Sequence, residues 1–423
     1  MSNLKINILY KFFTFIERIF SQLLFPFLMI MYWGKDNYSY FLFFLSIPMF
    51  FSMMQFTTTD SIRNKMSLIE KENNISELNI LYQNSIFINF INILVLTSII
   101  HIYIYFNFEN KSLYNNYNII LLVLINSLIP FLRAPLILLL TYKGSMKIYL
   151  SLNILFNILI TILIPISYFF LNNFENVFYL FLIINFLRLF ITYIFVNDDR
   201  IDKNINFKLF RIKEVINIIK FSAGFNFEIL ANLIKGPGLI FVVGSSAAVL
   251  NLALIQTVRT LFYYLPIQIY NIISGPLIFE INNRFKKGFF NSDEKKKFLG
   301  LIFLIFLIFL IGYYIIELYG VFLYELWLNK EIKISSNLIQ LIFLDAAIFL
   351  FLSFVMLPFR SLNKNFEIGI LDLFFNVITL LSIFMFELYN NIIFMFEVIL
   401  ILSVVNSICK ILISFFLYKK FKL

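Results

Sequence analysis

Apolar residues run along this chain in stretches of about 20 or more, broken by short clusters of Lys, Asp, Asn and Gly. A helix that spans a bilayer needs roughly 20 apolar residues, so each stretch predicts one. They fall near 12–33, 38–59, 79–106, 118–141, 148–170 and 177–196, then 216–243, 249–281, 298–319, 336–358, 366–386 and 392–417. The breaks between these twelve segments leave no room for a soluble catalytic domain. The first segment holds Glu17 and Arg18 and lacks a small-residue cleavage site, so it is expected to be retained rather than removed as a signal peptide. An even number of spans puts both termini on one side.

Composition agrees with this pattern: 61% of residues are hydrophobic and 14% charged, against about half and a quarter in soluble domains. The expected fold class is an all-α polytopic membrane protein of about twelve transmembrane helices. One cysteine, Cys409, excludes an intramolecular disulfide, and one histidine, His101, leaves no His/Cys cluster for zinc. No metal or cofactor is expected. The net charge of +10 would suggest nucleic acid in a soluble domain, but in a membrane protein it must first be divided by side. Of the 34 Lys and Arg, only Lys35, Lys111, Lys330 and Lys333 lie on the side away from the termini. Six more, Arg18, Arg133, Arg188, Lys235, Arg259 and Lys410, lie inside apolar segments, and the other 24 flank the segments on the terminal side. Cytoplasmic loops carry the Lys/Arg excess. Both termini are therefore expected in the cytoplasm, with Trp33 and Trp327 in the outer aromatic belt and no nucleic acid as partner.

A long loop with a charge cluster on the terminal side, roughly 197–214, falls at the midpoint and reads as a linker, 198–214, between an amino-terminal lobe, 1–197, and a carboxy-terminal lobe, 215–423. Glu17 precedes Pro26 by nine residues, as Glu228 precedes Pro237, and the two pairs are 211 apart. LIPFLR ending at Arg133 is echoed by MLPFR ending at Arg360. Six helices per half make the repeats parallel about an axis along the membrane normal, a design that places the site between the halves. Pro26 and the Gly236, Pro237, Gly238 run are candidate hinges for alternating access, because proline removes a backbone hydrogen bond. The competing reading is that membrane helices simply tolerate these residues.

Charges and polar stripes inside the segments are the candidate chemistry. A charge at bilayer depth costs roughly 2.5 to 3.5 kcal/mol on insertion scales and usually faces a polar cavity. Arg259 is roughly 15 Å from the nearer end of its segment at 1.5 Å per residue, too deep for easy snorkelling. It stands in a stripe with Gln256, Tyr263 and Tyr270. Similar stripes are Thr14, Arg18 and Ser21; Glu228, Asn232 and Lys235; and Ser403, Asn406, Lys410 and Ser414. These polar groups either wall a hydrated cavity or bond neighbouring helices. Arg18 can also snorkel to the headgroups, and Arg133, Arg188 and Lys235 either meet an anion or neutralise embedded carboxylates. Those carboxylates are Glu17, Glu228, Asp345, Asp372 and Glu397. Glu17 and Arg18 can form a compensating pair. Alternatively Glu228, Asp372 and Asn376, with Glu17 and Asp345, carry H+ or Na+ as a coupling ion.

The segment RTLFYYLPIQIYNIISGPLIFEINNRFKKG, Arg259 to Gly288, resembles the eighth-helix region of bacterial polysaccharide exporters of the O-antigen flippase type. ELWLNKEI, Glu325 to Ile332, is similar to a tryptophan-leucine loop in that family, which belongs to the multidrug/oligosaccharidyl-lipid/polysaccharide exporter superfamily. The resemblance implies a two-lobed transporter of the bacterial inner membrane that moves an oligosaccharide on undecaprenyl diphosphate between leaflets. It implies a diphosphate on Arg259, Arg18, Lys235, Arg133 and Arg188, and a polysaccharide polymerase or chain-length regulator as a candidate partner. Arginine suits the bidentate phosphate contact. Two alternatives stay open. A multidrug or cation antiporter of the same superfamily would favour an acidic cavity. A membrane polymerase or ligase would need a large outer loop, and the longest here, about 320–335, is short. No GxxxxGK[ST] loop is present for ATP hydrolysis, and an enzyme is not expected.

Overall fold

A computed structural model describes residues 2–51, 74–106, 117–141, 147–171, 173–196, 206–246, 248–268, 292–357 and 366–421, with a few isolated positions between them. These residues form an all-α structure, with no strand among them. The helices are α1 Ser2–Phe51, α2 Ile75–Phe106, α3 Tyr117–Thr141, α4 Lys147–Leu171, α5 Phe174–Phe195 and α6 Ile212–Leu233. Then come α7 Leu239–Gly244, α8 Leu252–Arg259, α9 Ser292–Trp327, α10 Ser336–Val355, α11 Phe366–Met385 and α12 Ile392–Phe421.

Ten windows long and apolar enough to cross a membrane lie among the described residues. The window Phe12–Ile47, at 36 residues, is too long for one crossing of a hydrocarbon core of about 30 Å at 1.5 Å per residue. It contains Gly34 at φ 75° and ψ 163°, a left-handed conformation that glycine adopts without steric cost. The first two predicted segments therefore meet at a one-residue bend instead of a loop. The eighth is described through Gln268 and at Tyr270; its remainder, and Arg360 of the echoed motif, lie outside the described residues. The window of α9, Ile302–Trp327, has a mean hydropathy of 2.4 but only 6% of it is covered by protein. So apolar a surface left uncovered needs lipid around it.

The chain divides into two compact units, one of Met1–Leu28 and Phe44–Leu233, the other of Met29–Phe43 and Ile234–Leu423. This boundary lies inside the seventh predicted segment rather than in the midpoint loop, and the stretch around the Gly34 bend belongs to the second unit. In the first unit α3 packs on α5 and α2, and α4 on α5. Its core gathers Leu81, Tyr82, Ile88, Leu138, Val196 and Ile218. The described part of the expected linker is docked here. Asn206 N–H donates to Gln83 Oε1 (3.0 Å), Asn84 Nδ2 to the Leu209 carbonyl (3.1 Å) and Arg211 N–H to Asn84 Oδ1 (3.0 Å). Gln83 and Asn84 are fully buried, so these bonds satisfy polar groups that would otherwise be costly in a core.

In the second unit α10 packs on α12 and α9, and α11 on α12. Ser39 Oγ accepts from Ala253 N–H (3.0 Å) and donates to the Leu250 carbonyl (3.2 Å), pinning the start of α8. Gly244 lies so close to Phe43 that a methyl group there would overlap the ring. The candidate hinge at 236–238 does not break the helix. Ile234–Gly238 is a π turn carrying α6 into α7, and a second π turn, Thr260–Tyr264, follows α8. Helix α1 stays helical through Pro26, and Gly34 is its non-helical position.

Candidate functional site

Lys235 sits in the first π turn and Arg259 immediately before the second, and π turns of this kind concentrate at functional sites. Lys235 Nζ reaches Asp345 Oδ1 on α10 at 2.7 Å and Ser403 Oγ on α12 at 3.3 Å. It also lies 5.2 Å from the Tyr263 ring centroid and 5.9 Å from that of Phe349. Arg259 Nη2 donates to the Lys235 carbonyl at 2.9 Å. Its guanidinium is 5.4 Å from the Tyr263 ring and 5.1 Å from that of Tyr264. The side chain is buried, at 3% exposure, and its Nη1 has no partner among the described residues. Lys235 is thus paired with the one carboxylate, and Arg259, buried close by, bonds only a neutral carbonyl.

Helix α8 starts at Leu252, which sets Arg259 about 10 Å from that end at 1.5 Å per residue, shallower than the segment boundaries predict. It nevertheless bonds inward to a backbone carbonyl and stacks on two tyrosines instead of snorkelling. A 3.6-residue period places Tyr263 with Arg259; the π turn adds Tyr264. Lys235, Arg259, Asp345, Asn376, Thr379 and Ser403 help line a cleft whose cavity volume is about 20 Å³. That is room for water and far too little for a sugar.

A second buried cluster lies in the first unit. Arg133 on α3 donates from Nε to Thr192 Oγ1 on α5 (3.0 Å) and from Nη2 to Asn153 Oδ1 on α4 (2.9 Å). Arg188 on α5 donates to the same Asn153 oxygen. Arg133 also stacks 5.8 Å from the Tyr149 ring. Pro130 and Pro135 flank Arg133 in α3, where each removes one helical hydrogen bond. Among the described residues, no carboxylate lies within salt-bridge distance of either arginine. Glu17 accepts instead from Ser21 Oγ (2.8 Å) and Asn157 Nδ2 (3.3 Å).

A third group joins α11 and α12, where Lys410 pairs with Asp372, which also accepts from Asn406 Nδ2 at 2.8 Å.

The expected site residues are therefore distributed as follows. Lys235, Arg259, Asp345 and Asn376 come together in the second unit, and Arg133 with Arg188 in the first. Arg18 is exposed while its neighbour Glu17 is buried and bonded elsewhere, so no compensating pair forms between them. The cation set of Glu228, Asp372 and Asn376 is not assembled in either unit: Glu228 is half-buried on α6 in the first, and Asp372 is held by Lys410 in the second. Sequence reasoning missed Asn153, Thr192, Tyr149, Tyr264 and Phe349. The Asn153 and Asn157 pair, one helical turn apart in an apolar run, was the available signal for the α4 contribution.

No family model matches the chain, and no curated protein matches its sequence. Solved structures do match in fold. An inward-facing multidrug resistance MATE family transporter of the MOP superfamily aligns with a TM-score of 0.65 at 14% identity, covering 96% of this chain and 95% of that one. A MATE structure in a bent conformation gives 0.59 at 14% identity over 97% and 93%. A MOP superfamily transporter from Pyrococcus furiosus Vc1, described by a binding pocket of reverse polarity that suggests a different function, gives 0.55 at 13% identity over 97% and 96%. The chain has the fold of these transporters along nearly its whole length.

Proposed function

We propose that the chain is a flippase that carries an oligosaccharide linked to undecaprenyl diphosphate across the bacterial inner membrane by alternating access, with both termini cytoplasmic and with H+ or Na+ as the coupling ion. The observation that carries this reading is the surplus of buried positive charge at Lys235 and Arg259, where the carboxylate of Asp345 pairs with Lys235 and Arg259 bonds only a carbonyl oxygen. A guanidinium with an unpaired Nη1 offers a charge-assisted donor to a phosphate oxygen. The cleft beside it has room for water only, so on this reading the diphosphate reaches the cations when alternating access widens the cleft, while saccharide and isoprenoid stay outside the unit.

The second reading, a multidrug or cation antiporter, is favoured by the fold of the MATE structures. It makes Asp345 and Asp372 the binding groups. The two readings separate in cells. Replacing Arg259 with Ala is expected to abolish surface polysaccharide and to accumulate the lipid-linked oligosaccharide in the inner leaflet, with the protein still inserted. Normal surface polymer in that variant removes Arg259 from the mechanism, and drug sensitivity without accumulation of the intermediate selects the antiporter.

A further inference from the structure

We propose that Arg133 and Arg188 form a second, separate diphosphate-binding site inside the first unit, near the membrane face that carries most of the lysine and arginine. The proposal rests on the flippase reading for the identity of the natural ligand, but its chemistry stands on this cluster alone.

The electrostatic requirement of the cluster is only partly met. Two guanidinium groups converge on one neutral acceptor, Asn153 Oδ1, and guanidinium groups keep their charge in proteins. Like charges that share one atom repel strongly at low dielectric, and an amide oxygen carries only a partial charge against two full ones. The usual remedy is a carboxylate, yet among the described residues none is within salt-bridge distance of either arginine. Glu17, in the same unit, spends its hydrogen bonds on Ser21 and Asn157 and acts on Arg188 only as a charge at longer range. Arg188 Nε is buried and without a partner.

The donors left over match a diphosphate. Arg133 commits Nε and Nη2 to Thr192 and Asn153 and can offer a ligand only its other amino group, whereas Arg188 keeps an unpartnered Nε; two guanidinium groups side by side can thus each direct a donor to one of two linked phosphates. Asn153 Oδ1 stands where a ligand oxygen would be shared. Access is available because Arg188, Asn153 and Tyr149 are only half-buried, while Arg133 and Thr192 are buried and fix the geometry. The depth fits as well. Arg133 is eight residues from the end of α3, Arg188 seven from the end of α5 and Asn153 six from the start of α4. All three therefore lie about 9 to 12 Å from helix ends on one face, within reach of the headgroup region where a lipid diphosphate resides.

The test is a titration of the purified full-length protein in nanodiscs with two probes, inorganic pyrophosphate and farnesyl diphosphate. Replacing Arg188 with Gln is expected to weaken binding at least tenfold, and Arg188→Lys severalfold, since a lysine keeps the charge but loses the fork. Lys208→Gln, at an exposed linker lysine, leaves binding unchanged. A loss seen with both probes assigns the site to the phosphates alone, and a loss seen only with farnesyl diphosphate assigns it to the lipid headgroup. Because Arg133 is buried and its removal can unfold the unit, Arg188 carries the test, with Tm of the ligand-free variant recorded alongside. An Arg188→Gln variant that loses Tm but binds both probes like the wild type shows that the arginines only tie helices together, and overturns the proposal. If Arg188 governs diphosphate affinity but deletion of the protein accumulates no lipid-linked intermediate, the flippase reading fails and the site remains.

Discussion

Replacing Asp345 with Asn separates the electrostatics of the second unit from its packing, because the two side chains have nearly the same volume. Asp345 Oδ1 and Lys235 Nζ are 2.7 Å apart, with side-chain exposures of 6% and 16%. At an effective dielectric constant of about 20 the Coulomb attraction over that distance is about 6 kcal/mol. Desolvation of both ions offsets much of it. The variant loses the attraction and keeps the cost, because Lys235 stays buried beside Arg259 with no carboxylate. Breaking a buried pair from one side costs about 3 to 5 kcal/mol. For a unit of about 200 residues each kcal/mol moves Tm by about 2 to 4 °C, so the variant is expected to melt about 10 °C below the wild type in detergent. The double variant with Lys235→Met and Asp345→Leu contains no unpaired charge from this pair and is expected to recover most of that loss while remaining inactive as the proposed flippase. A single variant as stable as the wild type, or a double variant no more stable than the single, refutes the reasoning.

Two further outcomes are expected. Replacing Asn84 with Ala removes the bonds to Leu209 and Arg211 and costs the docked linker about 1 to 2 kcal/mol; trypsin cleavage near Lys208 and Arg211 should rise about 5- to 30-fold, and an unchanged rate counts against the clamp. Replacing Gly244 with Ala drives a methyl group into the Phe43 ring and should lower stability by about 1 to 3 kcal/mol, which Phe43→Leu in the same chain should partly relieve.

The helical layout was legible because runs of about 20 apolar residues have one physical solution in a bilayer. Finer features depend on interactions that periodicity does not encode. A four-residue polar break between the first two segments reads as a loop, yet one glycine at φ 75° turns the chain. The Gly236, Pro237, Gly238 run reads as a helix break, but a π turn absorbs it and presents the Lys235 carbonyl to Arg259. The stripe through Arg259 was visible at a period of 3.6 residues, whereas the π turn that adds Tyr264 was not. Long-range pairing was the least accessible level. Lys235 meets Asp345 across 110 residues, and Arg133 meets Asn153 and Thr192 through packing of α3, α4 and α5. Embedded cations could be recognised one at a time, but which of them already had a counterion could not.

That distinction bears directly on the proposed substrate. In the second unit, lysines satisfy two of the embedded carboxylates, Lys235 holding Asp345 and Lys410 holding Asp372. The arginines are left over: Arg259, Arg133 and Arg188 bond only neutral oxygens among the described residues. A cationic drug can reach Asp345 only by displacing an ammonium group 2.7 Å away, with Arg259 close by to repel it. An anion meets Arg259 without breaking any ion pair and gains a donor, Nη1, that otherwise has no partner. Binding that begins by breaking a buried pair carries an added penalty of about 3 to 5 kcal/mol, a factor of roughly 100 to 5,000 in affinity. On the flippase reading proposed above, this arrangement of charges makes an anionic headgroup less costly to admit than a cation.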